Sequence, residues 1–218
     1  MTKKRFVAIL LCMTLVALAA IGATFAYLTD TKTVDNTFTM GNVAIKLDET
    51  NVNDPTGDRV TSNAYNVYPG AVVTKDPIVH NTGKNAAYIR ATVNVSNWMN
   101  LCAAYYPESG FEFTKPGYEK SLELLVGTLG EGWSVVGVTR DDTFTIGQFD
   151  AKFILKYDGK LASGADTTAM FQKVIIPAGI DNASADAGSF SSVKVVAQAI
   201  QADGFDTWED AFAAYDAK

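Results

Sequence analysis

Short runs in which apolar and polar residues alternate recur along most of the chain, and this pattern constrains the fold more than any other feature. Val43, Ile45 and Leu47 alternate with small or polar residues, and a similar pattern returns between Ala86 and Val95. A period of two is typical of a β-strand with one buried face. Further runs with strand character cover residues 72–80, 133–138, 143–146, 149–157, 170–176 and 193–200. The sequence therefore predicts a mainly β protein.

Turn-forming residues separate the predicted strands. Tyr68-Pro69-Gly70 predicts a turn, because proline fixes φ and glycine accepts a positive φ. The segment 81–85, which contains asparagine and glycine, predicts a hairpin between the runs 72–80 and 86–95. Residues 51–66 are rich in polar residues and predict a loop.

Helical spacing is clearest at the end of the chain. Four residues recur at the spacing of one helix face: Trp208, Ala211, Phe212 and Tyr215. Asp206 is placed to be the N-cap of this predicted C-terminal helix, with Glu209 completing a capping box. Residues 122–126 fit either a strand or a short helix. Together the patterns predict one mainly all-β domain of two packed antiparallel sheets with short accessory helices. They do not determine the order of the strands.

The first 26 residues have the composition of a secretory signal peptide. A positive start (residues 3–5) precedes an almost wholly apolar run (residues 6–20). A spanning helix needs roughly 20 apolar residues, so this run fits a signal peptide better than the alternative, an uncleaved membrane anchor. Thr24-Phe25-Ala26 supplies the small side chains that a signal peptidase requires, and we predict cleavage between Ala26 and Tyr27.

The mature chain would be acidic and almost free of cysteine. Removing the leader leaves 192 residues with a formal charge of −9 (15 basic minus 24 acidic residues). Because no basic cluster remains, we predict no nucleic-acid partner and no membrane attachment after cleavage. Cys102 is the one remaining cysteine, so an internal disulfide is excluded. We interpret it as a small buried residue, with an intermolecular bridge as the alternative.

No motif for catalysis or cofactor binding occurs in the sequence. His80 is the only histidine, which excludes a two-histidine metal site, and there is no nucleophile elbow or phosphate-binding loop. We therefore predict no catalytic residue, no metal ligand and no cofactor. His80 is interpreted as hydrogen-bonded or exposed, and the protein is predicted not to be an enzyme.

Acidic residues in loop-rich stretches leave one alternative open. They are Asp48, Glu49, Asp54, Asp58 and the pair Asp141-Asp142. Oxygen ligands from such loops suit calcium, but the spacing does not match an EF-hand. Solvated acidic loops are the preferred interpretation.

Aromatic residues crowd one irregular stretch of the chain. They are Trp98, Tyr105, Tyr106, Phe111, Phe113 and Tyr118. Such a platform could stack on a carbohydrate, but aromatic side chains also dominate buried cores. Packing in the core or between loops is the preferred interpretation.

Six local sequences form a set that spans the chain. They are residues 23–30 (ATFAYLTD), 36–43 (NTFTMGNV), 68–70 (YPG), 75–83 (KDPIVHNTG), 87–90 (AYIR) and 197–205 (AQAIQADGF). This set resembles the TasA/camelysin-like proteins of Gram-positive bacteria, whose export is SipW-dependent. The resemblance implies a jelly-roll-like β-sandwich, secretion to the cell surface or biofilm matrix, and fibre assembly as in TasA. Camelysin-like relatives are described as metalloproteases, but no zinc motif is present here, so we do not carry that activity over.

The segment between the predicted cleavage site and the domain is a candidate for assembly. Residues 27–42 favour extended backbone but offer little to bury, and they precede a domain over residues 43–218. We hypothesise that the segment adds as a strand to an open sheet edge of a second copy, and repetition of that contact builds a filament. The candidate donor-strand residues are Tyr27, Leu28, Thr29, Thr31, Thr33, Val34, Thr37, Phe38 and Thr39. The alternative is that the segment folds back on its own sheet or stays a flexible tail.

Three functional hypotheses are compatible with the sequence. The first is a secreted structural protein of the cell surface or biofilm matrix, with copies of itself or other matrix proteins as partners. During export its partner would be the signal peptidase. The second is a monomeric secreted binding module or adhesin, and the third, which the missing zinc motif disfavours, is a camelysin-like protease.

Overall fold

The computed structural model describes residues 42–98, 118–145, 148–179 and 192–217, together with Lys3, Met13 and Leu101. The chain divides into two compact units, Met1–Met40 and Gly41–Lys218. Within the described residues, no helix combines the length and apolar character needed to cross a membrane.

Eight strands and two short helices lie in the described part of the second unit. The strands are β1 (Ile45–Asp48), β2 (Val72–Thr74), β3 (Ile78–Asn81), β4 (Ala87–Val95), β5 (Trp133–Thr145), β6 (Gln148–Tyr157), β7 (Lys173–Ile175) and β8 (Val193–Gln201). The helices are α1 (Tyr118–Val126) and α2 (Trp208–Asp216). The prediction of a mainly β chain with short helices, one of them C-terminal, is confirmed.

All sheet pairings between the described strands are antiparallel, as predicted. The main sheet has the order β5-β6-β4-β8, while β1 pairs with β3 and β2 pairs with β7. The two-sheet, jelly-roll-like arrangement stays a prediction.

Alternation in the sequence sets the two faces of the main sheet. Ile89, Ala91 and Val93 of β4 are fully buried, whereas the residues between them are only partly buried. Val93 lies opposite Phe153 of β6 on one side and opposite Val195 of β8 on the other. These inward side chains join residues of the two smaller sheets in one core. The period of two in the sequence therefore predicted the buried face correctly.

The predicted hairpin around residues 81–85 is wrong. The run before it is divided into β2 and β3, and β3 pairs with β1 while β4 pairs with β6 and β8. The Gly83 N–H donates to the Ala44 carbonyl at 3.0 Å, and the Asn81 side chain donates to the Asn85 and Leu161 carbonyls at 2.9 and 3.0 Å. These bonds direct the chain from one sheet into another, so the turn residues do not join neighbouring strands.

Helix α2 packs on the outer face of the main sheet. Phe212 is buried in a second apolar cluster with Tyr88 of β4. Arg90 of β4 donates two hydrogen bonds to the Asp216 carboxylate, at 2.7 and 2.8 Å, and its guanidinium lies 4.4 Å from the centre of the Phe212 ring. The helix is therefore attached to β4 by both apolar and charged contacts.

The predicted N-cap of this helix is wrong by one residue. Thr207 is the N-cap, and its hydroxyl accepts a hydrogen bond from the Asp210 N–H at 3.1 Å. The Asp206 carbonyl instead accepts a hydrogen bond from the Tyr88 hydroxyl at 2.9 Å, which holds Asp206 outside the first turn. Threonine and aspartate are both good N-cap residues, so the sequence alone did not separate them.

Candidate assembly site

Strand β8 lies at the end of the main sheet, and no described strand pairs with its outer edge. The Ser96 N–H donates to the Ser192 carbonyl at 3.1 Å, and the Ala202 N–H donates to the Ala86 carbonyl at 2.9 Å. Hydrogen-bonded and non-bonded pairs alternate in an antiparallel ladder, so the even-numbered residues of β8 direct their backbone groups at β4. The odd-numbered residues direct theirs away from it: Val193, Val195, Ala197, Ala199 and Gln201.

Four of these odd-numbered residues also face the core. Val193, Val195, Ala197 and Ala199 are partly buried and pack against the main core, whereas Val196 is 38% exposed on the opposite face. A strand that paired with this edge would therefore place alternate side chains against the same core.

A cavity of about 540 Å³ lies beside the first half of this edge. Its apolar wall is built from five strands and includes Leu47, Val73, Val95, Val174, Val193 and Val195. The volume lies within the roughly 300–1,000 Å³ that small-molecule pockets occupy, so several side chains would fit inside.

Tyr65 brings a polar atom without a partner to the wall of this cavity. Its hydroxyl is buried, lies near the Asn63 side chain and makes no hydrogen bond of good geometry with the described residues. Burial, together with the nearby charge of Glu49, raises the pKa of Tyr65 to about 12. The hydroxyl therefore stays protonated, and a buried donor of this kind is stabilised by any occupant that offers an acceptor.

A buried ion pair holds the loop that closes this wall. Glu49 accepts hydrogen bonds from Lys75 Nζ at 2.5 Å and from the Asn63 side-chain amide at 3.0 Å. The side chains of Glu49 and Lys75 are only 6% and 12% exposed. The backbone of Glu49 also exchanges two hydrogen bonds with Val60, both of 2.8 Å. The loop that follows β1 is thereby fixed along the cavity.

Asp48, the preceding residue, is buried and accepts hydrogen bonds from three cations. Its Oδ1 accepts from Arg59 Nε at 2.6 Å and from His80 Nε2 at 2.9 Å, and its Oδ2 lies 2.8 Å from Lys46 Nζ. Burial alone would raise the pKa of Asp48, but the three bonds outweigh burial and lower it to about 2. Asp48 is therefore an anion at every pH at which the protein is expected to work.

Arg59 connects the same loop to the segment before β3. Its Nη1 donates to Asp76 Oδ2 and Thr50 Oγ1, both at 3.0 Å, and its Nη2 donates to the Asp76 carbonyl at 2.7 Å. Asp76 also accepts from the Thr50 N–H and hydroxyl, both at 2.7 Å. Burial would raise the pKa of Asp76, but the bonds from Thr50 and Arg59 outweigh it and lower that pKa.

His80 lies between two carboxylates. Its Nε2 is 2.9 Å from Asp48 Oδ1 and its Nδ1 is 2.7 Å from Asp166 Oδ1. A neutral imidazole has a single N–H, so this arrangement is satisfied only when both nitrogens carry protons. Burial would lower the pKa of His80, but the two carboxylates outweigh it and raise that pKa. His80 is thus a charged link between β1, β3 and the segment near Asp166.

This network does not have the donor set of a metal centre. Among the residues that the structure describes, no group of three or more His, Cys, Asp or Glu is placed to hold a metal ion. The Asp48 and Asp76 carboxylates are both bonded to Arg59, whose guanidinium occupies the position between them. A cation is already supplied by the chain itself, and the described residues do not fit a catalytic zinc.

The acidic residues singled out in the sequence fall into two groups. Asp54 and Asp58 are exposed, in agreement with solvated loops. Asp48 and Glu49 are only 3% and 5% exposed, so for these two the solvated interpretation is wrong. Their partners lie up to 32 residues away along the chain, which a local pattern does not reveal. Only the backbone of Asp141-Asp142 is described.

Sequence reasoning also missed Arg59, Tyr65 and Lys75. Arg59 is the one basic residue in the loop 51–66, and this loop follows Asp48 and Glu49 closely in the sequence. A single basic residue so near two acidic residues was a signal for an ion pair. Lys75 lies in the segment 75–83 that carries the family resemblance.

Most of the other predicted site residues lie outside the described residues. This applies to the cleavage site at Ala26 and Tyr27, to the candidate donor strand (residues 27–39) and to the aromatic residues 105–113. Trp98 is described: it is fully buried and packs edge-on against Phe153, with ring centres 5.0 Å apart. The burial interpretation is therefore correct for Trp98.

Comparison with protein families gives a match over the first part of the chain. Residues 1–98 match the family described as camelysin metallo-endopeptidase. No curated protein and no solved structure matches the chain significantly.

Proposed function

We propose, from the match of residues 1–98 to the camelysin family and the resemblance of local sequences to TasA-like proteins, that this chain is a secreted structural protein that assembles into fibres. Its location would be the cell surface or biofilm matrix of a Gram-positive bacterium. Cleavage between Ala26 and Tyr27 would free the segment 27–39, which would then pair with the open edge of β8 on a second copy.

The observation that carries this proposal is the coincidence of two properties on β8. Its odd-numbered residues direct backbone groups away from β4, where no described strand pairs with them, and the side chains of four of these residues pack against the main core. An exposed edge of this kind is a template for pairing, and natural proteins usually protect it. Pairing with a strand from a second copy would satisfy those backbone groups and cover part of the core.

The donor side of the proposal is tested by deletion. Mature protein (residues 27–218) and the same protein without residues 27–39 are incubated over a range of concentrations and imaged by electron microscopy. We expect fibres from the first and none from the second, with circular dichroism spectra showing that both are folded. Fibres from the shortened protein at an unchanged concentration would contradict strand addition.

The acceptor side is tested by a proline on β8. The Ala197 N–H points away from β4, so Ala197→Pro removes an outward donor and leaves the ladder with β4 intact. We expect this variant to stay folded but to stop assembling. Val196→Thr, at the neighbouring position on the exposed outer face, is the matched control and should assemble like the parent.

A monomeric binding module is the competing function. Sedimentation of mature protein over a concentration series distinguishes the two, because a binding module keeps the sedimentation coefficient of a monomer. A protease would require a metal site outside the described residues, and casein hydrolysis that is lost on chelation would support it.

A further inference from the structure

The cavity beside β8 restricts which face of an incoming strand can point inward. Successive side chains of a strand lie on opposite faces, so residues 33–40 divide into an odd and an even set. The odd set is Thr33, Asp35, Thr37 and Thr39, and the even set is Val34, Asn36, Phe38 and Met40. Only the even set offers large apolar side chains to an apolar wall.

The even set continues toward the start of the mature chain, but its character changes there. Leu28 has the same parity as Phe38, yet its neighbours on that face are Asp30 and Lys32. Charged side chains are costly to bury without partners. The stretch from Val34 to Met40 is therefore the part of the segment that suits the cavity.

The polar part of the cavity agrees with this choice. In an incoming strand Asn36 would lie on the same face as Phe38, and its side-chain oxygen is a hydrogen-bond acceptor. The cavity wall holds the Tyr65 hydroxyl, which is buried without a partner among the described residues. Val34, Asn36 and Phe38 would therefore present an apolar, a polar and an apolar side chain to a cavity wall that is apolar but also contains the Tyr65 hydroxyl.

We infer that Phe38 of one molecule is the anchor residue that enters the cavity beside β8 of the next molecule, with Val34 and Asn36 on the same inward face. This inference rests on the proposed function and names the residue that sets the register of the contact. Aromatic anchors in pockets carry a large share of the binding energy in protein interfaces.

The first test compares three alanine variants of mature protein. Phe38→Ala should raise the concentration for half-maximal fibre formation by roughly 100-fold, as expected for emptying a filled apolar site. Thr37→Ala, of the opposite parity, and Leu28→Ala, of the same parity next to charges, alter other candidate donor-strand residues, and each should raise it at least about tenfold less than Phe38→Ala. Equal effects of Phe38→Ala and Leu28→Ala, or a larger effect of Thr37→Ala, would overturn the inference.

The second test exchanges volume between the anchor and the cavity. Val195→Phe should fill part of the cavity and block assembly, and the double variant Phe38→Ala/Val195→Phe should restore it, because the removed and added rings compensate. A double variant no better than Val195→Phe alone would overturn the assignment.

If deletion of residues 27–39 abolishes fibres but Phe38→Ala does not affect them, this inference fails while strand addition stands. If the deletion has no effect, the proposed function itself fails.

Discussion

Replacing Asp48 by asparagine is the sharpest test of the charged network beside the cavity. The substitution keeps the shape of the side chain but removes the anion to which Arg59 and His80 are bonded. A pKa of about 2 in place of 3.8 corresponds to about 2 kcal/mol of stability at neutral pH. Removing one partner of a buried ion pair costs about 3–5 kcal/mol in other proteins. We therefore expect Asp48→Asn to lower the free energy of unfolding by about 2–5 kcal/mol at pH 6.

The pH dependence of this loss separates charge from packing. Because the pKa of Asp48 is lower in the folded chain than the 3.8 of the unfolded chain, its contribution is fully present above pH 3.8. The contribution shrinks as the pH falls from 3.8 toward about 2, where Asp48 is half protonated in the folded parent. The difference between parent and variant should therefore shrink over this range.

The assay is urea unfolding of dilute, unassembled mature protein, followed by circular dichroism at several pH values between 6 and 2.5. Asp58→Asn is the matched control, because Asp58 is an exposed aspartate of the loop after β1. We expect it to change stability by less than about 0.5 kcal/mol. A difference for Asp48→Asn that stays constant from pH 6 to pH 2.5 would refute the charge argument and point to packing alone.

Two further predictions concern other parts of the fold. The pKa of His80 is raised in the folded protein, so its charge stabilises the fold at a pH below the pKa of the unfolded chain. This stabilisation is lost as the pH rises through the pKa of the folded chain. Urea unfolding between pH 6 and 9 should show a decline in stability in the parent and not in His80→Gln. A side chain at Gly130 would collide with the Ala169 carbonyl oxygen, so Gly130→Ala should lower stability by about 1–3 kcal/mol in thermal unfolding. Gly137→Ala, where the nearest atom would be Ile154 Cδ1 at 3.7 Å, is its control, and equal losses in the two variants would contradict the steric explanation.

The sequence predicted strand faces well and strand partners poorly. Alternation in β1 and β4 identified the buried side of each strand, because burial of one face acts on every second residue. Pairing depends on residues far apart, such as Val95 and Val193, and no local pattern encodes it. The hairpin error has this origin: an asparagine–glycine turn is typical of neighbouring strands, whereas Gly83 bonds to the segment before β1.

The sequence suggested only the donor half of the candidate site, and that half stays a prediction. The threonine-rich segment after the leader suggested a donor strand, because its composition favours extended backbone without a buried face. The acceptor edge and its cavity were not predicted, since both depend on which strand ends the sheet. The burial of Asp48 and Glu49 was not predicted either, because their partners Arg59 and Lys75 reach them only through the fold.

Helix α2 has a mechanical consequence for a fibre built on β8. Tension along such a fibre would act on β8, which nine residue pairs hold to β4. Arg90 of β4 joins Gln198 of β8 to Asp216 of α2, and Lys156 of β6 is bonded to Glu209 of the same helix. The helix is thus linked to three adjacent strands, β8, β4 and β6. A pulling force on β8 would therefore be distributed to the interior strands of the sheet.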